Sequence, residues 1–443
     1  MSHGVLRFIT AGSVDDGKST LIGRLLFDTK AVLADQLATL SKARHARVTA
    51  EDARFDLALL TDGLEAEREQ GITIDVAYRY FATAQRKFIV ADAPGHEQYT
   101  RNLVTGASQA DVAVLIVDAT RVDLATTPAT LLPQTKRHAA IVKLLGLRHV
   151  GVVVNKMDLV GYDAGVFAQI VRAVEGLCAA LGLPAPHVIP VSALQGDNVV
   201  RSTERMPWYS GPTLLAWLEA LDTTANVSAV PGALRLPVQL VARQDGAAAD
   251  DFRGYLGRVE AGAIRRGQTV RVLPSGQSAT VAEVHVANDH TRPLCAGGVD
   301  GARAGHVVAV SLVEDVDVSR GDMLVSGADD AAAPSVAKSL RADLCWLDAE
   351  PLSTARKYVL RHTTNTVFAR VKSVDEVLDV KTLSHGTGEA SMKMNDIGRV
   401  QLALQKPIVC DPYDRAPATG AFVLIDEATN ATVAAGMVRT VEG

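Results

Sequence analysis

Short runs of unbroken apolar character alternate with longer helix-compatible stretches from Val5 to about Asp222. The runs are VLRFIT at 5–10, KFIVAD at 87–92, VAVLIVD at 112–118, VGVVVN ending at Asn155 and HVIPV at 187–191. A strand that is apolar on both faces is buried on both, and strands separated by helices pair in parallel. This portion therefore predicts an α/β domain on a parallel sheet. Beyond TTANVSAVPG at 223–232 the texture changes to brief Val-rich segments punctuated by Gly and Pro, as in GRVEAGAIRRGQTVRVLPSGQSATVAEVHV at 257–286. Strands at that spacing, with turn signals such as Pro274-Ser275-Gly276, predict all-β barrels. A small polar break, SGADDAAAPS at 326–335, has strand texture on both sides. The expected organisation is one α/β domain over 1–226 followed by two all-β barrel domains over 230–328 and 333–443.

Composition narrows the function classes. With 443 residues, 48% hydrophobic and 21% charged, the chain is ordinary globular protein, which excludes disordered, collagen-like and coiled-coil classes. Lys plus Arg is 45 against 50 Asp plus Glu, so the chain lacks the basic excess of a protein built to hold a nucleic acid backbone. Cys178, Cys295, Cys345 and Cys410 include no C-x-x-C pair, which predicts neither a local zinc site nor a disulfide framework and fits a reducing cytoplasm. Apolar stretches such as VAVLIV at 112–117 are far shorter than the ~18 residues of a membrane span. MSHGVLRFIT runs directly into a strand pattern instead of a signal-peptide core. The expectation is a soluble cytoplasmic protein with neither nucleic acid nor membrane as partner.

The candidate chemistry lies at strand ends. Gly12, Ser13, Val14, Asp15, Asp16, Gly17, Lys18 and Ser19 match G-x-x-x-x-G-K-[ST] between the strand VLRFIT and a helical pattern that Thr20 continues. The glycines let successive backbone N–H groups wrap phosphates, and the following helix points its positive end at them. Lys18 is expected at the terminal phosphates and Ser19 on Mg²⁺. Asp92-Ala93-Pro94-Gly95 ends KFIVAD, where the carboxylate can hold the metal through water and the Gly95 N–H can reach a γ-phosphate. Asn155-Lys156-Met157-Asp158 ends VGVVVN. The Asp158 carboxylate can accept from the N1–H and exocyclic amine of guanine, a donor pair that adenine lacks. Asn155 would brace the loop and meet N7, and the Lys156 stem would cover the base. Ser192-Ala193-Leu194 follows HVIPV and can offer a backbone N–H to guanine O6. Four motifs in this order at strand C-termini point to a guanine-nucleotide site.

These residues resemble the translation-factor class of GTPases, carried by GSVDDGKST at 12–20, EREQGITID at 67–75, DAPGHEQY at 92–99, NKMD at 155–158 and SAL at 192–194. Asp16, LLTDGLEAEREQGITIDVAYRYF at 59–81, GDNVV with PWYSGPTLL at 196–215, and ATGAFVLIDEATNATVAAGM at 418–437 narrow the resemblance to the GTPase subunits of bacterial sulfate adenylyltransferases. The resemblance implies a P-loop GTPase domain followed by two barrels, as in elongation factors, with GTP or GDP and Mg²⁺ as ligands. It implies a GTPase subunit that works with a separate small ATP-binding subunit to form adenosine 5′-phosphosulfate and pyrophosphate from ATP and sulfate. By the same resemblance Thr73 ligates Mg²⁺ and senses the γ-phosphate, and His96 positions the attacking water. Val14 and Ile72 match an apolar gate on that histidine, and Asp15 supports the phosphate loop. The segment 120–142 is longer than its family counterpart. Some relatives carry a C-terminal adenylylsulfate kinase, and these 443 residues hold no second phosphate-loop motif. The rival expectation is an elongation factor carrying aminoacyl-tRNA. Residues 333–443 hold thirteen basic and thirteen acidic side chains, which gives that barrel no net basic surface for RNA.

Overall fold

The computed structural model describes residues 4–32, 57–60, 75–126, 128–222, 233–244, 252–287, 299–327, 333–387 and 391–442. Two compact units form: Met1–Thr223 with Asp379–Ser384, and Thr224–Leu378 with His385–Gly443. The finer division into three domains has its boundaries at 226–230 and 328–333, and the residues at both breaks lie largely outside the described ones.

The first unit is built on a six-stranded sheet of order β2-β3-β1-β4-β5-β6. The strands are β1 (Val5–Gly12), β2 (Ala77–Ala82), β3 (Lys87–Asp92), β4 (Val112–Asp118), β5 (His149–Asn155) and β6 (His187–Pro190). From β3 to β6 every pairing is parallel, and β4 is buried at each position, as its apolar run requires. The parallel expectation fails at one edge. β2 runs antiparallel to β3, because 83–86 closes a hairpin through Thr83 N–H to Arg86 O at 2.9 Å. A link that short cannot supply the crossover that a parallel neighbour needs. β2 also shows the alternating exposure of a half-solvated edge strand.

Helices cover both faces. α1 (Lys18–Asp28) buries Leu21, Ile22, Leu25 and Leu26, a helical spacing that forms one apolar stripe. That stripe packs with Phe8, Phe81 and Phe88 into a core where Phe81 and Phe88 stack 4.7 Å apart. α2 (Thr100–Ala107) follows the turn after β3, and α3 (Pro133–Leu144) packs on β1 and β4. The long segment before α3 folds onto itself through a bridge between Asp123 and Thr130, with bonds of 2.9 and 3.2 Å, and Pro133 then opens the helix. α4 (Ala164–Leu181) is the one described helix long and apolar enough to cross a membrane. Its buried face, Ile170, Ala173, Val174, Leu177 and Cys178, belongs to packing on α3 and β5. Asp163 caps its start through the Val166 N–H, and Gly182, in the left-handed region, ends it.

The second unit contains a closed barrel built from β7 (Arg235–Gln244), β8 (Phe252–Arg258), β10 (Thr269–Leu273), β11 (Gln277–Val286), β13 (Val307–Leu312) and β14 (Met323–Ser326), in the order β10-β11-β13-β8-β7-β14. The predicted turn at Pro274-Ser275-Gly276 joins β10 (Thr269–Leu273) to β11 (Gln277–Val286), with Gly276 at φ +79°. A second sheet, β15 (Ser335–Trp346) to β21 (Thr432–Glu442), is also closed, by β16 (Tyr358–His362) pairing with β17 (Asn365–Asp379). Its core holds Trp346, Tyr358, Leu360, Leu402 and Leu424.

The two barrels meet across Leu273, Met323, Val325 and Val409. A buried ion pair is embedded in this region. Arg235 at the start of β7 donates Nε and Nη2 to the two carboxylate oxygens of Asp411, each at 2.9 Å, and both residues are 1% exposed. The Thr419 hydroxyl donates a third bond to Asp411 at 2.6 Å. Desolvating both charges is costly, so the fork geometry and the extra donor must offset that cost. Removing one partner strands the other. Asp411→Ala is expected to lower the unfolding free energy of this unit by roughly 3–5 kcal/mol in denaturant titration. The apolar pair Arg235→Met with Asp411→Leu is expected to cost less than Asp411→Ala.

Candidate functional site

Gly12, Asp92, Asp118 and Asn155 end four neighbouring strands, and the parallel register puts Thr10 opposite Asp92, Gly12 opposite Ile116 and Asp118 opposite Asn155. A site at one sheet edge follows directly from that register.

The phosphate loop turns between β1 and α1. Asp15, an exposed residue at φ 64°, and Gly17, at φ 91° and the residue before α1, bend it. A Cβ on Gly17 would lie 2.3 Å from Asn155 Nδ2, so only glycine lets the two elements meet. Ser13 and Asp16 are buried, and the Ser13 N–H donates to Asp16 Oδ2 at 2.6 Å. Val14 is half-buried, and its carbonyl accepts from the Arg121 guanidinium. Lys18, 7% exposed, folds back to donate to Gly12 O at 3.0 Å and Ser13 O at 2.7 Å. Burial pushes its pKa down, against the opposing charges of Asp92, Asp16 and Asp15. Ser19 and Thr20 open α1, both half-buried.

Ser19 Oγ lies 3.5 Å from Asp92 Oδ2, and the other Asp92 oxygen accepts from Thr10 Oγ1 at 3.4 Å. Among the described residues no group of three or more His, Cys, Asp or Glu could hold a metal ion. By its chemistry the Ser19–Asp92 oxygen pair fits a hard cation such as Mg²⁺ that takes its remaining oxygens from phosphate and water. Gly95 is packed onto the loop: a Cβ there would lie 2.5 Å from Lys18 Nζ and 2.9 Å from Gly12 O. His96, half-buried at φ −73° and ψ 141°, precedes the single turn Glu97–Tyr99, and its ring meets Tyr99 edge-on at 6.3 Å. Thr73 and Ile72 lie outside the described residues.

The side of the site formed by 155–158 and 192–194 is organised by Asn155. Its Nδ2 donates to Asp16 O at 2.8 Å and its Oδ1 accepts from Ala193 N–H at 3.0 Å. One amide thus ties the phosphate loop to the Ser192–Leu194 loop. Ser192 and Ala193 are buried and Leu194 is half-buried. Lys156 sits at φ 63°, a conformation that costs energy outside glycine, and its Nζ pairs with Asp118 Oδ2 at 2.7 Å. Asp158 lies half-buried in the turn Met157–Val160.

Three participants had no motif to announce them. Asp118 anchors Lys156. Arg121 reaches the loop from the Asp118–Arg121 turn, 3.6 Å from Asp16 Oδ1. Arg24, one helical turn beyond Thr20, donates to the carbonyls of Ala193 and Leu194. Each is an ordinary charged residue in sequence, and only the fold brings it to the loops.

Asp16 carries the main electrostatic tension. Burial raises its pKa to about 6, outweighing Lys18, the Ser13 N–H and Arg121, all of which lower it. A carboxyl whose folded pKa is raised stabilises the fold most below its ordinary value of 3.8, and that contribution is lost as pH rises through about 6. Asp16→Asn keeps an acceptor for Ser13 without the charge. In nucleotide-free protein the melting temperature of the variant is expected to gain on the wild type between about pH 4 and 6 and then level off. A pH-independent difference between the two would contradict this account.

The elongation factor Tu GTP-binding domain family matches residues 3–227, and a GTP-eEF1A C-terminal domain-like family matches residues 339–439. Sulfate adenylyltransferase subunit 1 of Laribacter hongkongensis is 45% identical over 99% of this chain and 86% of its own length. The subunit 1 of Yersinia enterocolitica is 46% identical over 98% and 86%. The bifunctional enzyme NodQ of a Rhizobium species is 45% identical over 98% of this chain, which spans 64% of that longer protein. The chain carries a guanine-nucleotide-binding domain and belongs to the sulfate adenylyltransferase subunit 1 family, within the GTP-binding class of elongation factor Tu.

Proposed function

We propose that this chain is the GTP-hydrolysing subunit of a sulfate adenylyltransferase. It would couple GTP hydrolysis to the formation of adenosine 5′-phosphosulfate and pyrophosphate from ATP and sulfate in sulfate assimilation, with a separate small subunit binding ATP. The observation that carries the reading is the joined cradle: a phosphate loop with buried Lys18, tied by Asn155 to the 192–194 loop, in a chain similar over nearly its whole length to subunit 1 proteins. The phosphosulfate anhydride is higher in energy than the ATP bond broken, so synthesis alone runs uphill. GTP hydrolysis offsets the deficit. Cys178 and Cys410 are free and buried, in keeping with a cytoplasmic setting. The closed sheets of the second unit support a division into two barrel domains, 230–328 and 333–443.

Lys18 and the loop N–H groups would bind the phosphates, and Lys18 would leave its carbonyl partners for the terminal oxygens. Ser19 and Asp92, with Thr73, would hold Mg²⁺, which when bound neutralises charge on the β- and γ-phosphates. Gly95 would offer its N–H to the γ-phosphate, and His96 would orient the attacking water. Asp158 would accept the two guanine donors, with Asn155 and the Ala193 region meeting N7 and O6. The Lys156 stem, steadied by Asp118, would lie along the base.

Two experiments test the reading. Asp158→Asn exchanges the acceptor for a group matched to xanthine, so the variant is expected to prefer XTP over GTP in direct binding. A retained guanine preference would overturn the assignment of that loop. In the reconstituted pair, product and GDP are followed together. Product is expected to exceed its ATP-only equilibrium while GTP lasts, and His96→Ala is expected to bind GTP but hydrolyse it of the order of 10²-fold or more slowly. Product formation indifferent to GTP would move the chain to the elongation-factor alternative.

A further inference from the structure

Helix α3 presents Gln134, Arg137 and His138 at helical spacing, so the three side chains share one face. Arg137 Nη1 pairs with Glu97 Oε1 at 2.7 Å and donates to Gln134 Oε1 at 2.9 Å. Gln134 has thereby spent its oxygen, so its Nε2 donates to His138 Nε2 at 3.0 Å. His138 is 1% exposed, and burial, with the charges of Lys18 and Arg137, pushes its pKa down to about 3. It is neutral at physiological pH, with its proton on Nδ1, and serves as a fixed acceptor. The row His138, Gln134, Arg137 therefore holds the guanidinium from behind and aims it at Glu97.

Glu97 directly follows His96 and opens the turn Glu97–Tyr99. That turn is closed by Tyr99 N–H to His96 O at 3.1 Å and by Thr100 Oγ1 to Glu97 O at 2.7 Å. An ion pair on Glu97 thus acts one peptide unit from the histidine. The Glu97 side chain is 60% exposed, and a pair this exposed adds little to stability. Its effect is to fix a position. We propose that Arg137 is a positioning residue for GTP hydrolysis, holding the His96 turn against α3 through Glu97.

This inference rests on the reading that His96 orients the attacking water, so His96→Ala is measured alongside. Glu97→Gln and Arg137→Gln are each expected to slow single-turnover hydrolysis at saturating GTP by about tenfold or more, the scale of a small misplacement of a reacting group. Affinity for GTP is expected to change by less than about twofold, with melting temperature within about 3 °C of wild type. Arg137→Lys keeps the charge and is expected to recover most of the rate. In a His96→Ala background, Glu97→Gln is expected to add no further loss, because a positioning effect vanishes with the group positioned. Wild-type hydrolysis in Glu97→Gln and Arg137→Gln, with His96→Ala slow, overturns the role of the pair and leaves His96 in place. Losses that persist in the His96→Ala background also overturn it. Wild-type hydrolysis in His96→Ala removes the underlying reading and this inference with it.

Discussion

The site depends on one amide side chain. Asn155 uses its nitrogen to hold the phosphate loop at Asp16 O and its oxygen to hold the Ala193 N–H. Both bonds are buried, where an unmade hydrogen bond costs more than it would in water. The phosphate loop and the 192–194 loop are therefore fixed relative to each other. The glycine at position 17 is the steric counterpart, since any side chain there would occupy the space of that amide.

Around this tie the charges interlock. Asp16, Asp92 and Asp118 are all buried, in a site whose proposed ligand is a polyanion. Asp118 steadies Lys156, Asp92 faces Ser19, and Asp16 caps the loop at Ser13. Asp16 has a raised pKa, because its desolvation is not fully offset by Lys18 and Arg121. The site is thus held under electrostatic strain, a common condition where groups must respond to a ligand. The Arg235–Asp411 pair between the barrels differs: a two-pronged bond and the Thr419 hydroxyl meet both carboxylate oxygens, which suits a fixed joint.

Much of this was legible in the chain. Phosphate-loop spacing, the acidic residue at the end of KFIVAD and the Asn-Lys-x-Asp turn are local patterns, and each needs only its own strand to be placed. Unbroken apolar runs determined the parallel sheet, because a strand covered on both faces has no polar positions to spare. Gly and Pro punctuation determined that barrels follow, because turn chemistry acts over a few residues.

Tertiary structure decided what joins those pieces. β2 is antiparallel because a hairpin connection leaves it no alternative, although its sequence reads as strand in either sense. Arg121, Arg24, Asp118 and Arg137 look like surface charges in the sequence, and they matter through partners up to 170 residues away. Arg235 and Asp411 are 176 residues apart and carry no motif. Charged side chains have no periodic signature like that of a buried stripe. Their roles come from which neighbour the fold supplies, and a buried charge is tolerable only once that neighbour is in place.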